Sequence, residues 1–166
     1  MDIAKTIESV REQVKHAREQ HKTIGLVPTM GALHAGHTSL IQAAARSCDY
    51  VVVSIFVNPT QFGPNEDLDE YPRPFSQDCS MCQEHGTDLV FAPDPDEMYG
   101  TGGLTWVNVE TLTEPLCGQF RATHFRGVTT VCTTLLNIVL PDTAFFVPKD
   151  AQHAVGIPRI VADHSL

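Results

Sequence analysis

The chain predicts an α/β fold, a doubly wound, Rossmann-like parallel sheet, on three observations. Short apolar runs alternate with stretches of helical periodicity along its 166 residues. The central runs, Ile24-Gly25-Leu26-Val27 and Tyr50-Val51-Val52-Val53-Ser54-Ile55-Phe56-Val57, lack polar–apolar alternation, as strands covered on both faces do. Polar residues gather just after these runs, and open α/β sheets bind ligands outside the carboxyl ends of their strands.

Taken in order, residues 3–22 set Ile3, Ile7, Val10 and Val14 at helical spacing among charges, predicting an opening amphipathic helix. A strand is expected over 24–27, a turn after it, a helix over 38–46 and a second strand over 50–57. Residues 58–65 hold the prolines, asparagines and glycine of a loop. Residues 75–85 read as a helix ended by Gly86, and 88–93 as the next strand. A Pro/Gly-rich surface loop is expected over 94–103, and an edge strand or short ribbon over 104–109. Residues 127–139 read as a helix stopped before Pro141, 144–147 as the last strand, and 150–163 as a terminal helix. Inside that last helix Pro158 costs on the order of 3 kcal/mol unless the helix kinks or ends there. No repeat or low-complexity tract interrupts the pattern, and one domain over 1–166 is expected.

Composition narrows the function. Apolar content of 42% and charged content of 19% suit a globular domain. A net charge of −9 argues against a nucleic-acid face, which needs clustered Lys and Arg, yet permits a local basic pocket for a small anion. The opening residues lack an apolar signal core, and no run approaches the roughly 18 apolar residues of a membrane span. A soluble, cytoplasmic protein without membrane contact is expected. The five cysteines, Cys48, Cys79, Cys82, Cys117 and Cys132, are odd in number, and the Cys79-x-x-Cys82 pair has no second pair to complete a zinc set. Free thiols and no protein-held metal are expected.

The most informative stretch is Pro28-Thr29-Met30-Gly31-Ala32-Leu33-His34-Ala35-Gly36-His37. It joins a strand to a helix start, where unpaired N–H groups and the macrodipole favour phosphate. The imidazoles of His34 and His37, three residues apart, should face one way, with Gly36 leaving room for a ligand. The strand-end rule adds Asn58 and Gln61 after the second strand and Lys149 and Asp150 after the last.

His-x-Gly-His after a strand resembles the adenylyl-transferring enzymes related to class I aminoacyl-tRNA synthetases. The longer string from Val27 to His37 is similar to the pantothenate synthetase (pantoate–β-alanine ligase) family. Collinear blocks continue the likeness across most of the chain: residues 53–62, 67–73, 88–93, 116–121 and 124–128. The resemblance implies ATP-dependent joining of pantoate to β-alanine through a pantoyl-adenylate. It implies ATP contacts from Met30, Gly31, Ala32, Leu33, His34, Ala35, Gly36 and His37 and from Val147, Pro148, Lys149 and Asp150. His37 would be the catalytic acid, assisted by His34, and Gln61 would bind both pantoate and β-alanine. Asn58, Arg121, His124, Gln152 and His153 would complete the substrate contacts. Charge growing on the α-phosphate and on pyrophosphate calls for His34, His37 and Lys149, with Mg2+ bridging phosphate oxygens. Asp150 could accept from ribose hydroxyls. A homodimer is implied as well.

The chain departs from the family pattern in places. Val147-Pro148 stands where Gly-Glu is usual, which adds a side chain and removes a backbone N–H. His153 falls where the family uses a glutamine on pantoate, with Gln152 beside it, and Thr123 replaces a glycine before His124. The family continues past residue 166 into a Ser-Ser-Arg-Asn-like loop and a smaller closing domain. The chain is therefore expected to be the N-terminal nucleotide-binding domain alone, inactive or weakly active by itself. Its alternatives are a non-catalytic nucleotide- or pantoate-binding domain, or an interaction module retaining the fold.

Overall fold

The computed structural model describes residues 1–63, 66, 68–100, 102–110, 122–146 and 151–164, with backbone alone at 122–123, 151–155 and 164. Five parallel strands lie in the order β1-β4-β3-β2-β5. They are β1 (Asp2–Ala4), β2 (Ile24–Thr29), β3 (Tyr50–Ile55), β4 (Leu89–Phe91) and β5 (Thr143–Ala144). The helices are α1 (Ile7–Glu19), α2 (Ala35–Ser47), α3 (Phe75–Glu84), α4 (Pro95–Tyr99), α5 (Ala122–Val139) and α6 (Ala151–His164), with a 3-10 turn at Pro59–Gln61.

Both sheet faces are covered, which explains why β2 and β3 show no alternation. Leu26 and Val52 join Val10 and Val14 of α1, Leu135 of α5 and Ile157 of α6 in one buried cluster. Val27, Val51, Val53 and Val90 face the other way, onto Ile41 of α2 and Cys82 of α3. From β2 the chain winds outward through β3 to β4, then returns to lay β5 against the opposite edge of β2. The order reverses between β2 and β5, and the crevice above that switch point is where such sheets take ligands. Among the described residues no helix is long and apolar enough to cross a membrane.

Several expectations are corrected. Residues 2–4 are a strand, with Asp2 N–H donating to Asp88 O and Ala92 N–H to Ala4 O. The opening helix begins only after Thr6, whose hydroxyl caps it by accepting from Ser9 N. Residues 95–99 form a short helix where a loop was expected. Residues 104–109 form no strand and have no strand partner among the described residues. Val107 is tied instead to α5, donating to Thr130 Oγ1 and accepting from Thr129 Oγ1. β5 covers 143–144, earlier than the predicted 144–147. Helix α6 runs through Pro158, whose ring is exposed while Ile157 and Ile160 stay buried. Cys48, Cys79, Cys82 and Cys132 are free thiols, and Cys117 lies outside the described residues.

Candidate active site at the switch point

The signature stretch forms the end of β2, a tight turn and the start of α2. Thr29 closes β2 by donating its hydroxyl to Ser54 O at 2.7 Å and accepting from Gly31 N at 3.1 Å. Gly31 and Ala32 then take left-handed conformations, with φ of 78° and 50°. His34 is the N-cap of α2: its Nδ1 accepts from Gly36 N at 3.1 Å, while His37 Nδ1 faces His34 N at 3.4 Å. The two rings lie 4.2 Å apart, His34 exposed and His37 buried.

This geometry corrects the expected helix end. The main-chain N–H of His37 bonds to His34 O at 2.8 Å, and that of Gly36 is taken by an imidazole. The histidines thus cap the helix themselves. An Nδ1 that accepts leaves the proton of a neutral imidazole on Nε2. Gly36 is also explained from within, since a Cβ there would lie 2.9 Å from His34 Cε1. The cap needs this glycine whether or not a ligand does.

Beside the cap lies a cavity of ≈ 120 Å³. Pro28, Thr29 and Met30 from the end of β2 form one side, and His37 and Gln61 supply polar groups. The opposite wall is apolar: Val131, Cys132 and Leu135 from α5, with Phe146 and Ile157. Gln61 is 8% exposed, and its side-chain amide has no hydrogen-bond partner among the described residues. Its amide can both donate to and accept from a group in the cavity. Burial in the wall pushes the Cys132 thiol up to about 12, so it stays protonated and lines the cavity as a small apolar group.

Two residues expected to contact substrate make hydrogen bonds within the protein. Asn58 is fully buried: its Oδ1 accepts from Thr60 N, Thr60 Oγ1 and Tyr99 OH, and its Nδ2 donates to Gly127 O at 3.1 Å. Its short amide is consumed in fixing the 3-10 turn. His124 is directed to main chain, its Nδ1 donating to Gln61 O at 2.9 Å. Both place Gln61. Val147, Pro148, Lys149, Asp150 and Arg121 lie outside the described residues, as do the side chains of Gln152 and His153 on α6.

One residue escaped the sequence reading. Asp78 of α3, 1% exposed, accepts from Ala32 N at 2.9 Å and Leu33 N at 2.8 Å. It was hidden among the polar residues of a helix start. The signal available was its position four residues before buried Cys82, a carboxylate on the apolar stripe.

The family model for pantoate-β-alanine ligase matches residues 2–166. The chain belongs to that ligase family. Pantothenate synthetases of Pelotomaculum thermopropionicum and Moorella thermoacetica are 53% and 55% identical to it over 163 residues, covering 98% of this chain and 58% of each relative. The pantothenate synthetase structure of Thermus thermophilus superposes with a TM-score of 0.93 at 42% identity, covering 99% of this chain and 58% of that one. The ligase of Francisella tularensis, complexed with beta-gamma ATP and β-alanine, gives 0.93 at 38% identity over 99% of this chain and 63% of its own. The chain thus spans about 58% of the length of the pantoate–β-alanine ligases named from curated sequences.

Proposed function

We propose that this chain is the ATP- and pantoate-binding part of an enzyme that joins pantoate to β-alanine, forming pantothenate, AMP and pyrophosphate. One observation carries the reading: buried His37, at the start of α2, and the open amide of Gln61 line the same cavity at the switch point. The pantoate carboxylate attacks the α-phosphorus of ATP and pyrophosphate departs. The β-alanine amine then attacks the pantoyl carbonyl and AMP leaves.

His37 offers its Nε2 proton to phosphate oxygen as charge accumulates there, with His34 alongside. Met30, Gly31, Ala32, Leu33, Ala35 and Gly36 frame the nucleotide, completed by Val147, Pro148, Lys149 and Asp150. Gln61 can both donate to and accept from a hydroxy acid, and the apolar wall suits pantoate's branched carbon skeleton. Arg121, Gln152 and His153 are proposed to contact the same acid. The Francisella relative's bound ATP analogue and β-alanine support this choice of ligands.

Among the described residues no group of three His, Cys, Asp or Glu could hold a metal. Mg2+ is proposed to be carried by the ATP phosphates, where it would supply positive charge to the leaving pyrophosphate. The working protein is proposed to be a cytoplasmic homodimer without nucleic-acid or membrane partners. Sedimentation showing only monomer at tens of micromolar would refute the dimer.

Calorimetric titration of an ATP analogue tests the nucleotide site. His37→Ala should weaken binding by roughly 10-fold or more, a charge-assisted hydrogen bond contributing about 1.5–3 kcal/mol. Equal affinity for wild type and variant would overturn the assignment. As an isolated 166-residue polypeptide the chain should form pantothenate orders of magnitude more slowly than a two-domain relative. Where water reaches a site, charge interactions within it weaken and an acyl-adenylate is exposed to hydrolysis. The assay follows AMP and pantothenate together, and one-to-one production at the relative's rate would refute the expectation.

A further inference from the structure

We infer that Asp78 is a positioning residue for nucleotide binding, its carboxylate setting the main-chain turn that carries His34 and His37 to the phosphates. The inference rests on the proposed ATP site and adds a residue from α3, 41 positions beyond His37 in the sequence.

Burial of a carboxylate is unfavourable without compensation. Asp78 forms no ion pair among the described residues, and its compensation is the backbone of the signature turn. One oxygen takes the N–H of Ala32 and the other that of Leu33. These donors sit where the backbone is least comfortable. Gly31 and Ala32 are consecutive left-handed residues, and Ala32 has a Cβ that disfavours this conformation. A bidentate carboxylate lining up two adjacent N–H groups offsets that strain and selects this turn among alternatives. Fit is close on the glycine as well, since a Cβ on Gly31 would lie 2.9 Å from Asp78 Oδ2 and 3.2 Å from Ile55 Cγ2.

The next residue is His34, whose N–H points to His37 Nδ1 and whose ring caps Gly36. The direction of both imidazoles is therefore inherited from the turn. Helix α3 gives Asp78 a firm base, because Cys82, one turn on, is fully buried against Val27, Val53 and Val90. Gln61 is set by a different group of bonds, from Asn58 and His124 to the 3-10 turn, and none of them involves Asp78, so nucleotide and pantoate affinities should separate.

The test uses Asp78→Asn in the protein, which keeps the shape but points an NH2 at a backbone donor. Three readouts are taken: calorimetry with a non-hydrolysable ATP analogue, calorimetry with pantoate, and 15N imidazole spectra of the histidines. The dissociation constant for the analogue should rise at least tenfold and that for pantoate stay within twofold. The Nδ1 signals of His34 and His37 should leave the hydrogen-bonded acceptor position. A folded variant that binds the analogue as wild type does overturns the inference. Equal weakening of both ligands does so too, since a general brace would lower them together. If Asp78→Asn does not fold, Asp78→Glu, which keeps the charge but moves both oxygens off the two N–H groups, decides by the same criteria. Wild type failing to bind the analogue would sink the ATP reading, and the imidazole spectra would still judge the role of Asp78.

Discussion

Replacing Gly127 with alanine should destabilise the protein, although alanine is the better helix former. In an open helix interior the exchange gains about 0.5–1 kcal/mol. Here α5 crosses the 3-10 turn so closely that a Cβ would lie 2.5 Å from Thr60 O, 2.7 Å from Thr60 carbonyl carbon and 3.0 Å from Gln61 N. Even a weak carbon–oxygen contact sits at about 3.3 Å or more, so the intrusion is about 0.8 Å. All three obstacles are main chain and cannot rotate away, which places the overpacking cost in the upper half of about 1–3 kcal/mol. The net loss is about 1–2.5 kcal/mol, or roughly 2–10 °C in Tm for a chain of this size. The shift must part α5 from the turn, stretching the Asn58 Nδ2 to Gly127 O bond and displacing Gln61. Pantoate affinity should therefore fall while affinity for an ATP analogue holds. Urea unfolding, thermal melts and calorimetry with both ligands make the comparison. A higher Tm with unchanged pantoate binding would show that propensity, and not the close crossing, governs this position.

Two further outcomes follow from the same geometry. Gln61→Ala should raise the pantoate dissociation constant about 2- to 13-fold, the equivalent of one neutral hydrogen bond at about 0.5–1.5 kcal/mol, and leave the ATP analogue within twofold; calorimetry giving the reverse order would refute the division of labour. Stability should decline above pH 9, because burial raises Cys82 from 9.0 to about 11 and Cys132 from 9.0 to about 12. There the unfolded chain sheds thiol protons that the folded chain keeps, so it binds fewer protons and the unfolding free energy falls with pH. This loss continues until the folded thiols ionise. Thermal melts between pH 8 and 11 should show a shallower fall for Cys132→Val, and an identical slope would exclude that thiol as a source.

What the sequence revealed was whatever repeats a local rule. Covered strands announced themselves at 24–27 and 50–57, because continuous apolar runs have few other uses. The two histidines could be placed at a strand-to-helix junction for the same reason. Strand β1 was hidden because Ile3 and Ile7 also fit a helical stripe, and its pairing partner lies more than 80 residues away. Residues 104–109 have the alternation of a strand, yet tertiary threonines on α5 took their hydrogen bonds. In the site, residue type suggested contact with ligand for Asn58 and His124. Only the folded chain could show their bonds to Tyr99, Thr60, Gly127 and the main chain of Gln61. Asp78 was invisible because its partners are backbone N–H groups, which carry no sequence signal.

The reversal of strand order also joins early and late portions of the chain. The carboxylate of Asp49 reaches Thr23 across 26 residues, whereas that of Asp142 reaches Ile24 across 118. Closing the longer loop costs about 1.3 kcal/mol more in chain entropy. The β2 side of the cavity is thus built from neighbours in sequence, and the side bearing Phe146 and Ile157 is attached by a far longer tether. A ligand bound between Met30 and Ile157 would act as a reversible cross-link over that span, stabilising this edge in proportion to its own binding.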